Sequence, residues 1–146
     1  MRSLEMSTGR TFVLRLETGE VLHEVLEKFS KDNGIENAAV TAVGGIGKGS
    51  RMTVGPKIPY DEKITPIIHT LDAPHELTAS GTIFKDEDGD PIMHMHGSAG
   101  RDGKAVTGCL RAGVTAWLVL EVVIIELAGE GAVRKDHDSG MKILEL

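Results

Sequence analysis

The chain has 146 residues, of which 40% are hydrophobic, so it is long enough for one domain with a buried core but short for two. Its net charge of −6 argues against direct binding of a nucleic-acid backbone, which usually needs a basic patch. The longest apolar run, WLVLEVVIIEL, carries two glutamates and is too short to cross a membrane, and the N-terminus lacks a signal-peptide core. The single cysteine excludes an internal disulfide. We therefore expect a cytoplasmic protein without membrane contact.

In the first half of the chain, hydrophobic periodicity predicts three strands and one principal helix. Thr18 is a candidate N-cap of the helix and Gly34 a stop signal at its C-terminal end. The predicted elements, in order, are a strand over 11–16, a helix within 18–34, a strand over 38–43, a glycine-rich bend (GGIGKG), a strand over 50–54 and a proline-rich loop or irregular edge over 55–66.

In the second half, the pattern predicts strands alone. They cover 76–83, 91–97, 104–111, 117–127 and 141–146, with turns at DEDGD and GRDG and a polar loop at RKDHDSG. The run 117–127 is nearly all apolar, which is typical of a central strand buried on both faces. The sequence therefore predicts an α+β fold with a mainly antiparallel β-sheet, one principal helix near the N-terminus, and a single domain over residues 1–146.

Two histidines and the only cysteine lie in the stretch DPIMHMHGSAGRDGKAVTGCL. His94 and His96 are two residues apart, so on a strand they face the same side, while Met93 and Met95 face the other. A hairpin turn at the favoured Asp-Gly pair 102–103 places Cys109 opposite His96, and a turn one residue earlier places it opposite His94. Either register puts Cys109 on the histidine face.

Three protein ligands with an open fourth position are the usual arrangement of catalytic zinc. Imidazole and thiolate suit Zn²⁺, and iron, cobalt or nickel could compete for the same donors. The alternative is a polar strand face that carries two imidazoles by chance, next to a cysteine that acts as a small apolar residue. Spacing alone leaves both interpretations open.

Acidic and basic residues offer further candidates. Glu76, at the start of a strand, could serve as a general acid or base beside a metal, and Arg111 could assist. Glu121 interrupts the apolar run, so we expect it to be buried and paired with an arginine, within the sheet or between subunits. The other histidines, among them His69, His75 and His137, are expected at the surface.

The order of several segments resembles the plants-and-prokaryotes conserved domain family, abbreviated PPC, in its prokaryotic stand-alone form. The matching pieces are RTFVLRLETGEVLHEVLEKFSKDNGIENAAVTAVGGIG, HELTASGTI, MHMHGSAG, KAVTGCLRAG and LEVVIIEL. The resemblance implies a homotrimer, with a metal held in some prokaryotic members by a His-x-His strand and a third histidine. Cys109 stands where that third histidine usually lies, and cysteine can also ligate zinc, so the resemblance implies His94, His96 and Cys109 as the metal positions.

The resemblance also bears on the kind of activity. The fold is similar to that of acetolactate decarboxylase, an enzyme that holds zinc with a comparable histidine set. Plant relatives bind DNA through separate AT-hook segments, and no such segment is present in this chain. DNA therefore stays a partner suggested by the resemblance and disfavoured by the charge.

Three functions follow as hypotheses. The first is a small homotrimeric protein of this family that binds a metal, with zinc favoured, and whose biochemical role and small-molecule ligand are undetermined. The second is a metal-dependent enzyme of lyase or hydrolase type acting on a small carbonyl or oxygen-rich metabolite. The third is a DNA-associated regulatory protein that acts through trimerisation. A thiolate ligand weakens a metal as a Lewis acid, which favours binding over catalysis.

Overall fold

An eight-stranded antiparallel sheet dominates the computed structural model, which describes all 146 residues. The strands lie in the order β1-β8-β2-β5-β6-β7-β3-β4, and a separate hairpin is formed by β9 and β10. The elements are β1 (Ser7–Leu16), α1 (Leu22–Asp32), β2 (Asn37–Ile46), β3 (Arg51–Pro56), β4 (Pro66–Thr70), β5 (His75–Lys85), β6 (Pro91–Arg101), β7 (Lys104–Cys109), a 3₁₀ turn (Leu110–Ala112), β8 (Ala116–Ala128), β9 (Val133–Asp136) and β10 (Lys142–Glu145).

The hydrophobic core lies between one face of the sheet and helix α1. Leu22 and Leu26, four residues apart on the helix, are fully buried, as are Met93 and Met95 on β6. This alternation on the strands and the helical spacing on α1 are the two periodicities on which the predicted fold rested. The predicted α+β class, with an antiparallel sheet and one helix near the N-terminus, is confirmed.

The start of α1 differs from the prediction, whereas its end agrees. The N-cap position is Val21, which makes no side-chain capping bond, and the hydroxyl of Thr18 instead accepts a hydrogen bond from the backbone N–H of Leu118 at 3.0 Å. Gly34 has φ +65°, and its N–H donates to the carbonyl of Lys31, as a glycine that ends a helix should. Thr18 is therefore an anchor between the loop and β8, not a cap.

The prediction that β8 is buried on both faces is wrong. Leu120, Val122 and Ile124 point into the core, but the residues between them face outward on this chain. Glu121 is accordingly exposed, and Arg15, which lies opposite it in the ladder, pairs with Glu17 instead. The apolar outer face of β8 is left uncovered by any element of the same chain.

Two pairings were absent from the predicted elements. Residues 66–70 form β4, which pairs with β3 at the sheet edge, and residues 133–136 form β9, which pairs with β10. An isolated bridge between Asp86 and Arg134 ties the β9–β10 hairpin to the end of β5. No helix is both long and apolar enough to cross a membrane.

Candidate metal centre and its cavity

Strand β6 presents both histidines on the outer face of the sheet. Met93 and Met95 are buried in the core, so the strand alternation turns His94 and His96 away from it. The predicted sharing of one face is therefore present in the structure. The imidazole ring centroids lie 5.1 Å apart, with the ring planes nearly perpendicular at 87°.

The β6–β7 hairpin brings Cys109 beside this pair. Asp102 and Gly103 both have positive φ, +50° and +71°, as a type I′ turn requires. This turn sets the first of the two predicted registers, in which Cys109 lies opposite His96. Directly opposed residues have Cβ atoms about 5 Å apart, and His94 is the diagonal neighbour.

The donors are neighbours but do not form a closed ligand cage. No group of three His, Cys, Asp or Glu side chains converges in a metal-binding arrangement. Partial desolvation, the positive charge of Arg134 and the proximity of His96 lower the pKa of His94. The imidazole of His94 is thus held in its neutral form near neutral pH, which is the form that binds a metal. The chemistry of the donors fits a transition metal of the zinc type, and Cys109 is a free thiol.

Arg111 lies at this site, although the predicted β6–β7 ladder, continued two residues beyond Cys109, would have placed it opposite His94. Strand β7 ends at Cys109 and the chain turns into the 3₁₀ segment, so Arg111 does not pair with His94. Its guanidinium instead bonds the carboxylate of Glu27 and donates to the carbonyl of Met93 at 3.1 Å. It therefore reaches the histidine strand through the side chain.

Glu76 lies on the histidine face but far along strand β5. Ser80 is the β5 residue opposite His96, and Glu76 precedes it by four residues. At about 3.4 Å per residue this separation is about 14 Å. The structure therefore does not bring Glu76 next to the histidines within one chain.

A cavity of about 740 Å³ opens between the outer face of β5–β6 and the β9–β10 hairpin. His94, Cys109 and Arg111 line it, together with Thr82 on β5. His96 lines a neighbouring groove that also holds Val13, Glu121 and Val123. The two histidines therefore lie at the border between the cavity and the apolar outer face of the sheet.

Arg134, which also lines the cavity, was not identified from the sequence. It lies on β9, inside the segment that was predicted as a polar loop, and it is 4% exposed. Burial and the positive charge of Arg111 lower the pKa of Arg134. The run RKDHDSG gave no sign of this burial, because every neighbour of Arg134 on its C-terminal side is polar or glycine.

Comparisons with known proteins agree with this architecture. Residues 3–128 match the family model of the Plants and Prokaryotes Conserved (PCC) domain, the family abbreviated PPC above. Among solved structures, a plant- and prokaryote-conserved protein of Pyrococcus horikoshii is 28% identical with a TM-score of 0.86, the match covering 100% of this chain and 98% of that one. A metal-containing protein of Archaeoglobus fulgidus is 27% identical with a TM-score of 0.81, the match covering 98% of both chains.

More distant structures share the fold alone. A candidate DNA-binding protein of Bacteroides thetaiotaomicron is 19% identical, with a TM-score of 0.74 and 96% of both chains covered. A search of the curated proteins gives no match. The β9–β10 hairpin, which closes the cavity, follows the part of the chain that the family model matches.

Proposed function

Since the chain belongs to the Plants and Prokaryotes Conserved domain family, we propose that it is a homotrimeric metal-binding protein of that family. His94, His96 and Cys109 are the ligands, and zinc is the favoured ion. We also propose a cytoplasmic location, because Cys109 can serve as a ligand only where its thiol stays reduced.

The histidine pair on β6 is the observation that carries the proposal. Its two rings lie 5.1 Å apart on a rigid central strand, and Cys109 is fixed opposite His96 by the hairpin register. The backbone positions of the three donors are neighbours on two paired strands, and we propose that changes of side-chain rotamer aim them at one point. The metal-containing protein of Archaeoglobus fulgidus, with the same fold at 27% identity, supports the proposal.

The surroundings of the two histidines are compatible with metal ligation. The lowered pKa of His94 keeps its ring nitrogen free of a competing proton. His96 lines the neighbouring groove beside Thr107 and Ser98, where the hydroxyl of Thr107 donates to that of Ser98 at 3.1 Å. A metal bound there would polarise a carbonyl or activate a water.

Titration of the metal-free protein with Co²⁺ tests the ligand set. Wild type is expected to develop the visible bands of tetrahedral cobalt together with the near-ultraviolet absorption of a cobalt–thiolate bond. Cys109→Ser should lose the near-ultraviolet absorption, and His94→Ala should lose most of the binding. His137→Ala, in an exposed loop, is the matched control and should behave as wild type.

Absence of any cobalt spectrum in wild type would contradict the proposal. Wild type that binds Co²⁺ without the cobalt–thiolate absorption would also contradict it, because Cys109 is the only thiol of the chain.

The proposed trimer rests on the family resemblance and on the apolar outer face of β1, β8 and β2. Val13, Val43 and Val119 are between 53% and 77% exposed on this chain. A contiguous exposed apolar patch is unusual on a monomer and typical of an interface. We propose that copies of the same chain cover it, which would bury Glu121 and place the histidines near a subunit boundary.

A metal-dependent enzyme acting on a small oxygen-rich metabolite is the second candidate function. The cavity favours it, because about 740 Å³ is within the range of small-molecule sites and His94, Cys109 and Arg111 line its wall. Turnover of a small carbonyl compound by wild type, absent in His94→Ala, would establish it. Direct DNA binding is disfavoured, since the chain carries a net charge of −6.

A further inference from the structure

Arg134 is a buried cation without a carboxylate partner. One terminal nitrogen donates to the hydroxyl of Thr82 at 3.1 Å, and the guanidinium carbon lies 5.8 Å from the centre of the Phe84 ring. Its Nε is buried and has no hydrogen-bond partner. Burying a charge in this way is unfavourable unless an opposite charge compensates it. The guanidinium therefore has unused donor capacity at the cavity wall.

The carboxylate of Asp86, whose backbone lies beside that of Arg134, forms its hydrogen bonds with other groups. Asp86 forms an isolated backbone bridge with Arg134, but one of its carboxylate oxygens accepts from the backbone N–H groups of Asp88 and Asp90. The other oxygen accepts from Lys142 at 3.0 Å. No oxygen of Asp86 is hydrogen-bonded to Arg134, so the local fold leaves the guanidinium uncompensated.

The cavity around Arg134 is positive in an otherwise acidic protein. Arg111, Arg134 and Lys142 line it, and none of its lining residues is Asp or Glu. The charge of Arg111 is partly neutralised by an ion pair with Glu27, and that of Lys142 by an ion pair with Asp86. Neither carboxylate lines the cavity. Arg134 is therefore the principal free positive charge that faces the interior.

We propose that this cavity binds the carboxylate or phosphate group of a small molecule, with Arg134 as the principal donor and Thr82, Arg111 and Lys142 around it. A guanidinium presents parallel N–H groups that match two oxygens of such an anion. The volume of about 740 Å³ is large enough for a whole small metabolite, and not merely for a single ion. The remainder of the ligand then lies against His94 and Cys109.

The anion site goes beyond the proposed metal function and stands without it. Arg134 and Thr82 belong to β9 and β5, and neither is a proposed metal ligand. Where a metal is also bound, the anion fixes one end of the ligand while the other end reaches the metal. The two proposals can therefore fail separately.

Cys109 supplies a built-in reporter, because it is the only cysteine and it lines the same cavity. The experiment uses the full-length protein, freed of metal by a chelator, and measures alkylation of Cys109 by iodoacetate and by neutral iodoacetamide. In each reaction the thiolate displaces iodide and forms a thioether. The iodoacetate-to-iodoacetamide rate ratio in the folded protein is compared with that of the same protein unfolded in urea.

A positive cavity should raise this ratio roughly tenfold over the unfolded chain, because it concentrates the anionic reagent. Inorganic phosphate and malonate, added at matched ionic strength, should slow the iodoacetate reaction and not the iodoacetamide reaction. The anion that competes at the lower concentration identifies the phosphate or the carboxylate as the preferred group.

Arg134→Met should reduce the ratio to that of the unfolded chain and abolish the competition. Arg101→Met, at the exposed hairpin end of β6, is the matched control and should leave both unchanged. Arg134→Lys keeps the charge but loses the paired donors, so it should keep part of the ratio and weaken the competition. The competition in wild type decides the proposal even where the Arg134 variants fail to fold.

A ratio equal to that of the unfolded chain would overturn the proposal, as would a raised ratio that neither anion reduces. The first outcome would indicate that a carboxylate, for example from another subunit, already neutralises the cavity. The second would indicate that the cavity exerts only a general field and holds no anion site. Metal content, measured in the same samples before the chelator is added, reports on the proposed metal function independently.

Discussion

His94 and His96 differ in what surrounds them, although one strand places both. His94 faces the cationic cavity and its pKa is lowered by burial and by Arg134, whereas His96 faces the groove that continues into the apolar outer face. Of the two proposed histidine ligands, His94 would thus face the small-molecule cavity and His96 would face the proposed subunit interface. Cys109 is the link, since it pairs with His96 in the ladder and lines the cavity of His94.

The ion pair between Glu126 on β8 and Arg10 on β1 is expected to make stability depend on pH. Hydrogen bonds from Arg10 lower the pKa of Glu126 to about 2. A carboxylate with a lowered pKa stabilises the fold above its unfolded value, about 4.5, and this contribution is lost as the pH falls to about 2. Glu126→Gln should therefore lower the melting temperature at neutral pH, and the difference from wild type should shrink between pH 4.5 and 2.

Thermal unfolding monitored by circular dichroism across this pH range measures the effect. Glu62→Gln removes an exposed loop carboxylate that has no ion pair, and it serves as the control. A constant difference between wild type and Glu126→Gln at all pH values would contradict the assignment.

At the scale of single elements, the register of β5 against β6 depends on Gly81. It lies opposite Met95, and a Cβ at this position would come within 2.3 Å of the carbonyl oxygen of His94 and 2.6 Å of the Cα of Met95. Both contacts are with backbone, which cannot move without displacing the strand that carries the histidines.

Gly81→Ala is therefore expected to lower the free energy of unfolding by about 1–3 kcal/mol and to weaken metal binding at His94. Gly100→Ala on β6 is the control, because its nearest neighbour would lie 3.8 Å from the new Cβ. Urea unfolding of the two variants measures the difference. Equal stabilities would show that β5 and β6 are less rigid than their packing implies.

The spacing of apolar residues along the sequence predicted those strands and the helix that pack one face against the core. The helix and the strand positions of Met93, Met95 and the two histidines follow from periodicity, and the turn follows from the Asp-Gly pair. Strand β9 could not be found in this way, because its four residues, three of them charged, are defined by pairing with β10. Arg134 was missed for the same reason.

Glu121 shows a different limit of sequence reasoning. Its position inside an apolar run correctly indicated a strand, yet the apolar residues on its own face are exposed on the single chain. An apolar run indicates that a strand face is buried, but it does not indicate whether the same chain or another subunit covers that face. The predicted burial of Glu121 is wrong for the isolated chain and depends on the proposed trimer.

At the scale of the whole molecule, the apolar outer face should govern assembly. Val13 and Val43 lie on β1 and β2, on either side of β8, and both are more than half exposed. Replacing each by glutamate adds two charges next to Glu121 and should prevent subunits from packing there. Light scattering after size-exclusion chromatography should give about three times 15.6 kDa for wild type and a lower mass for the double variant.

Ile58→Glu, in the loop between β3 and β4, is the control, because Ile58 is similarly exposed but lies off this face. A monomeric wild type would contradict the proposed trimer. An unchanged mass in the double variant would place the interface elsewhere.

Elemental analysis of the purified protein is the most direct measurement of the central claim. The protein should be purified without added metal or a metal-binding tag, as wild type and as the His94→Ala, His96→Ala and Cys109→Ala variants, with His137→Ala as the control. The account predicts about one zinc or other transition-metal ion per chain in wild type and control, and little in the three ligand variants. No bound metal in wild type, even after zinc is supplied and excess removed, would contradict it.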